Sequence, residues 1–176
     1  INGSGKSTFA QSAATLGALT DASDFEIINP DLVTRELSVQ HGALPLDAVN
    51  RLAADECERR VDELIRHANR SFAIETVLST DKYIARARRA KAAGFQILFV
   101  YMLLSSVEEA IERVRIRVAN GGHDVPAAKI RARWPKSRQR LPVFFWQATR
   151  SLVFFNGKGS RVRLVADRMG ALLTFH

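Results

Sequence analysis

The chain opens on Ile-Asn-Gly-Ser-Gly-Lys-Ser-Thr, and no other stretch of its 176 residues restricts the fold as strongly. Set against the pattern G-x-x-x-x-G-K-[ST], Gly5, Lys6 and Ser7 fill the last three positions, and the first glycine falls one residue before Ile1. The sequence is therefore expected to begin inside a phosphate-binding loop, with the strand that feeds the loop missing and the piece poorly stable and inactive by itself. Gly3 and Gly5 lack a Cβ, which lets successive backbone N–H groups turn toward one anion. Asn2, Gly3, Ser4, Gly5 and Thr8 complete this cradle, whose donors sit where a helix opens near Lys6. Lys6 is suited to bridging β- and γ-phosphate oxygens, and the Ser7 hydroxyl to holding a Mg²⁺. A Gly-Ser linker with the same letters is the plain alternative.

The motif order beyond the loop predicts strands alternating with helices. A first helix is expected over 6–16, stopped by Gly17, and a short strand over 25–29, where Pro30 disfavours helical geometry at Asn29. A loop around Gly42 and Pro45 precedes a strongly periodic helix over 46–70, with Val49, Ala53, Cys57, Val61, Leu64, Ile65 and Ala68 on one face. Cys57 reads there as a core filler rather than a nucleophile. A strand over 72–77, a basic helix over 81–93 and a continuous apolar strand over 95–103 follow. Ser106 and Glu109 have the spacing of a capping box, for a helix buried through Val107, Ala110, Ile111, Val114 and Val118. Pro135 and Pro142 are expected to kink or divide the next helix, which starts near Ala127. Short strands over 152–155, 162–166 and 171–175 end the chain. The pattern is that of an α/β fold with a mostly parallel sheet flanked by helices, in one domain.

Charge is placed unevenly. Residues 1–80 carry 7 Lys+Arg against 12 Asp+Glu, whereas residues 81–176 carry 19 against 6, and the whole chain is +8. The stretch 113–140 holds nine cations and only Asp124. Phosphate-rich substrates, nucleic acid or plain solvated helix faces all accommodate such a surplus, but the stretch lacks the interleaved aromatics of a single-strand binding surface. No apolar run approaches the ~20 residues of a membrane helix, and a single cysteine favours a reducing, cytoplasmic setting.

Strand ends carry the candidate chemistry, because ligands of open α/β sheets gather there. Asp31 suits either a base that takes the proton of an attacking hydroxyl or a helix N-cap. Glu75 could orient a substrate, hold a magnesium-bound water or form a surface ion pair. Arg113, Arg117, Arg131 and Arg133 flank Gly121-Gly122, as in a lid over about 113–140 that closes on transferring phosphate. His123 reads as a lid hydrogen-bonder, and Asn156-Gly157 as a turn without chemistry.

Taken together, NGSGKST, Ile28-Asn-Pro-Asp31, the segment 72–79 (FAIETVLS), Arg113-Val, Arg117-Val and the segment 121–126 (GGHDVP) resemble the zeta-toxin-like P-loop kinases over most of the chain to about Asn156. The resemblance implies a P-loop kinase fold, ATP and Mg²⁺, and phosphorylation of a hydroxyl on a small molecule, a UDP-linked N-acetyl amino sugar in characterised zeta toxins. By the same resemblance Lys6 and Ser7 take the nucleotide and magnesium positions, Asp31 the deprotonating acid, and Glu75 and Thr76 the substrate-binding segment. Arg117 and Arg133 match the arginines near the phosphates, with Arg113 as a substrate-side or supporting member. An antitoxin protein is admitted as partner, whereas a nucleotide-dependent nucleic-acid-binding ATPase and an inactive ATP-binding module are the alternatives. Ala132, Thr149 and Phe155 depart from the family pattern, the last replacing the aspartate of the usual Asp-Asn-Ser ending.

Overall fold

The structure is a computed structural model that describes residues 1–11, 25–40, 43–67, 70–157, 159 and 161–176. Two compact units are formed: Ser7–Thr76 is one, and Ile1–Lys6 with Val77–His176 is the other. The end expected for the first helix, the Gly42 loop tip and Ala68 lie outside the described residues.

The smaller unit holds most of α1 (Lys6–Gln11), β1 (Phe25–Ile28), α2 (Pro30–Gln40), α3 (Leu46–His67) and β2 (Ser71–Ile74). β1 and β2 pair in parallel from Phe25↔Ser71 to Ile28↔Ile74, a geometry that requires a long crossover, supplied by α2 and α3. The periodicity read from α3 is realised: Val49, Ala53, Cys57, Val61 and Ile65 are buried at four-residue intervals. Another face carries an ion-pair cluster, in which Glu56 accepts from Arg59 at 2.7 Å and from Arg60 at 2.8 Å. These two guanidiniums hold the Glu56 carboxyl at about 2, against an ordinary 4.5.

The larger unit contains α4 (Lys82–Ala92), β3 (Leu98–Leu103), α5 (Val107–Ala119), α6 (Ala127–Gln147), β4 (Arg150–Phe155), β5 (Arg163–Met169) and β6 (Leu172–Phe175). Its sheet has the order β3-β4-β5-β6. β3 and β4 are parallel, joined through α5 and α6, whereas β5 and β6 add antiparallel because their short connections hold no crossover. β3 starts at Leu98 rather than Phe95, and its consecutive Tyr101 and Met102 are both buried, so apolar cover lies on both faces of the strand there.

Two expectations for the helices are corrected. The proline-bearing helix is not divided: α6 runs unbroken from Ala127 to Gln147 with Pro135 and Pro142 inside it. Each proline removes one N–H, but Ile130, Ser137 and Phe144, seven residues apart, keep one stripe buried and hold the helix together through packing. Val118 is 38 % exposed rather than part of the α5 stripe, which buries Ala110 and Val114. The capping box is partly as expected. Ser106 Oγ accepts from Glu109 N at 3.1 Å, and the Glu109 carboxylate accepts from Ser105 N, one residue earlier than the box requires.

One buried polar pair pins α6 to the sheet: Tyr101 Oη lies 2.9 Å from Ser137 Oγ. Burial pushes the Tyr101 hydroxyl above its ordinary range, against the opposing pull of the Ser137 hydrogen bond. Ser137→Ala is expected to cost about 1–3 kcal/mol by leaving the phenol unsatisfied, and adding Tyr101→Phe should recover most of that loss in urea melts. Acid titration supplies a second check. Since the Glu56 pKa is depressed on folding, its contribution is complete above about pH 4.5 and is lost as pH falls toward 2. Glu56→Gln should flatten that part of the Tm-against-pH curve.

Candidate functional site

Residues 1–6 form a loop in the larger unit whose shape depends on two glycines. Gly3 has φ +73° and Gly5 φ +90°, the left-handed region where a Cβ is strained. A Cβ on Gly3 would also stand 2.6 Å from the Ala110 carbonyl oxygen, and one on Gly5 2.8 Å from Asn156 Nδ2. Ser4 is buried, and its Oγ donates to the Ile1 carbonyl at 3.0 Å. Lys6 Nζ donates to the same carbonyl at 2.5 Å.

The arginines expected over the phosphates divide into separate tasks. Arg133 Nη1 donates to Asn2 Oδ1 at 3.2 Å, which ties α6 to the loop. Arg113 pairs with Glu109 at 2.8 Å and donates to the Asn156 carbonyl at 2.7 Å. Arg117 donates to the His123 carbonyl at 2.5 Å, and its Nε is buried without an acceptor among the described residues. Arg131 pairs with Glu108 at 2.6 Å on the surface. His123 is engaged there through its backbone carbonyl.

A second cluster belongs to the smaller unit. Ser7 Oγ donates to Glu75 Oε1 at 2.7 Å, and Asn29 Nδ2 donates to Glu75 Oε2, also at 2.7 Å. Asn29 Oδ1 in turn accepts from the Asp31 N–H at 2.8 Å. Both oxygens of Glu75 therefore face polar donors. The capping task goes to Asn29, which precedes α2, while Pro30 takes the first helical position that proline favours. Asp31 is not the N-cap. It occupies the first turn, exposed, with its carboxylate released from that duty. Thr76 lies two residues past β2, and Thr8 is exposed on α1. The two clusters are joined covalently, since Lys6 and Ser7 share a peptide bond.

Among the described residues no group of three His, Cys, Asp or Glu side chains could cage a metal. A Mg²⁺ that arrives with nucleotide phosphates needs only a hydroxyl and a nearby carboxylate to orient its waters, and Ser7 with Glu75 fits that donor set.

Sequence reasoning overlooked Asn29 and Asn156. Asn156 Nδ2 donates to the Ser4 carbonyl at 3.0 Å across 152 residues, so the apparent turn residue is part of the loop's support. The local signal for Asn29 was present in Asn-Pro-Asp, an Asx cap followed by proline; Asn156 stands at the asparagine of the Asp-Asn-Ser ending, a signal masked because Asn-Gly also reads as a turn.

A family model described as "AAA domain" matches residues 1–141. An "Uncharacterized protein" of Haemophilus influenzae (strain ATCC 51907 / DSM 11121 / KW20 / Rd) is 28% identical over 137 residues, covering 76% of this chain and 86% of that protein. Crystal structures of AvrRxo1-ORF1:AvrRxo1-ORF2 with sulphate ions and of the same pair with ATP are similar in fold, each at TM-score 0.76 and 16% identity. They match 99% of this chain, which spans only 58% and 57% of theirs. At that identity the likeness is one of fold, the α/β P-loop fold expected from the motifs.

Gly3→Ala tests the loop directly. Strain at positive φ of about 1–2 kcal/mol, added to a clash with backbone, should weaken ATP binding at least tenfold in calorimetry.

Proposed function

The chain belongs to the AAA domain family, and on that premise we propose that it is an ATP-dependent phosphotransferase acting on a hydroxyl of a small metabolite. The observation that carries the reading is the hydrogen-bonded series Ser7–Glu75–Asn29–Asp31, which runs from the magnesium position of the loop to the backbone N–H of Asp31, whose side chain is exposed. In this reading Asp31 accepts the acceptor's hydroxyl proton as that oxygen attacks the γ-phosphorus. The new O–P bond forms as the bond to the β–γ bridging oxygen breaks, and ADP leaves. Asn2, Gly3, Ser4, Gly5 and Thr8 line the nucleotide side, and Lys6 neutralises charge on the phosphates. Mg²⁺, when bound with ATP, would supply Lewis-acid stabilisation from Ser7 and waters held by Glu75. Arg117 and Arg133 act from the lid region, 113–140, within a single kinase domain over 1–176; Thr76 serves the substrate side, and Arg113 supports the loop through Asn156.

The zeta-toxin-like motif order supports a UDP-N-acetyl amino sugar as acceptor and a cytoplasmic setting. A two-protein assembly built on this fold, AvrRxo1-ORF1:AvrRxo1-ORF2, supports an antitoxin-like protein partner. One observation favours a second reading, a nucleic-acid-binding ATPase. The larger unit carries 20 Lys+Arg against 6 Asp+Glu, and five of those six acids already pair with arginines. Binding to RNA or DNA that collapses between 50 and about 200 mM salt, with no labelled metabolite, would favour that reading.

A metabolite pool incubated with γ-labelled ATP and the full-length protein should yield a labelled sugar nucleotide. Asp31→Asn should lower kcat by about 10²–10⁴ with ATP affinity preserved, and unchanged turnover would remove Asp31 as the base. Glu75→Gln should raise the Mg²⁺ concentration needed for half-maximal activity by about 10–100-fold.

A further inference from the structure

The geometry points to Asn156 as a positioning residue for nucleotide phosphates: its side-chain amide fixes the Ser4–Gly5 peptide so that the Gly5 N–H is held toward the anion. A trans peptide is planar, with its carbonyl and its N–H on opposite sides. Whatever bonds the Ser4 carbonyl therefore also sets the direction of the Gly5 N–H. Asn156 Nδ2 makes that bond at 3.0 Å. Restraint is needed because Gly3 and Gly5, at φ +73° and +90°, confer the freedom that makes a peptide flip cheap. A flipped peptide would present a carbonyl oxygen to phosphate oxygens, replacing attraction by repulsion. The amide also occupies space that only glycine leaves open, 2.8 Å from where a Cβ of residue 5 would stand.

Asn156 is itself held at both backbone groups. Its N–H donates to the Leu103 carbonyl at 2.9 Å, which extends the β3–β4 ladder, and its carbonyl accepts from Arg113 Nη2 at 2.7 Å. Arg113 is braced by Glu109, whose side chain is 9% exposed and whose other oxygen accepts from Ser105 N. Two strand ends and one helix thus converge on a single amide, which converts their rigidity into the orientation of one loop peptide. Arg113 acts through this contact, which explains why an arginine of the expected lid is turned to support rather than to phosphate.

The inference rests on the preceding reading only in taking residues 2–8 as the phosphate loop. Calorimetry with AMP, ADP and ATP in Mg²⁺ tests it on full-length wild type, Asn156→Ala and Asn156→Asp. Loss of the restraint should weaken ADP and ATP about tenfold in the alanine variant, the equivalent of one hydrogen bond, while AMP, which lacks the β-phosphate, changes less than twofold. Asn156→Asp should lose more, since a carboxylate would face the Ser4 carbonyl and add negative charge beside the loop. ADP affinity within twofold of wild type in either variant would overturn the assignment, as would a parallel loss of AMP. If the alanine variant does not fold, Asn156→Asp carries the test alone: a loss of ADP and ATP affinity with AMP preserved supports the assignment, and ADP affinity within twofold of wild type overturns it. Wild type that binds ADP in an Asn156-dependent manner but labels no acceptor would overturn the kinase reading and leave this one standing. Labelled product with ADP binding insensitive to Asn156 would do the reverse.

Discussion

The hydrogen bond from Ser7 Oγ to Glu75 Oε1 joins residues 68 apart, and the smaller unit is arranged so that it can form. Its geometry follows from strand register. Ile28 pairs with Ile74, and Glu75 N continues the ladder by donating to the Ile28 carbonyl at 3.1 Å. Asn29 and Glu75 are thereby the next rung beyond the paired strands, close enough for their side chains to bond. A slip of one residue would turn one of the two side chains to the opposite face and break the series.

Much of this was legible in the chain because local chemistry wrote it. Glycines at positions 3 and 5 announced a loop of positive φ, the four-residue periodicity of Val49 to Ile65 announced a helix with one buried face, and Asn-Pro-Asp announced a strand end passing into a helix. The assignment of roles inside that last motif was less legible. Asn and Asp are both good caps, and only the bond from Asp31 N to Asn29 Oδ1 decides between them. The contact of Asn156 was hidden for a different reason: its partner is 152 residues away, and Asn-Gly has a sufficient local explanation as a turn. α6 shows the converse case, in which the local rule against internal prolines is overridden by the packing of Ile130, Ser137 and Phe144.

Arginine-rich sequence read as a lid suggested one common task, yet the structure distributes the guanidiniums among carbonyls, a side-chain amide and carboxylates. Arg133 reaches the loop through Asn2, Arg113 through Asn156, and Arg131 spends its charge on Glu108 at the surface. A planar fork with several donors suits bracing of this kind, where a lysine would satisfy one acceptor and leave the others. Family departures sit among such braces. Thr149 Oγ1 accepts from the Ile97 N–H at 2.9 Å, so the residue in place of a common acid knits the start of β4 to the segment before β3.

The Ile1 carbonyl accepts from two side chains at once, the Lys6 ammonium and the Ser4 hydroxyl. One oxygen thereby draws together both halves of a segment whose glycines leave the backbone loose. The curvature of residues 1–6 is tied from inside by a single acceptor, so a change in the direction of that carbonyl would be felt at positions 4 and 6 together.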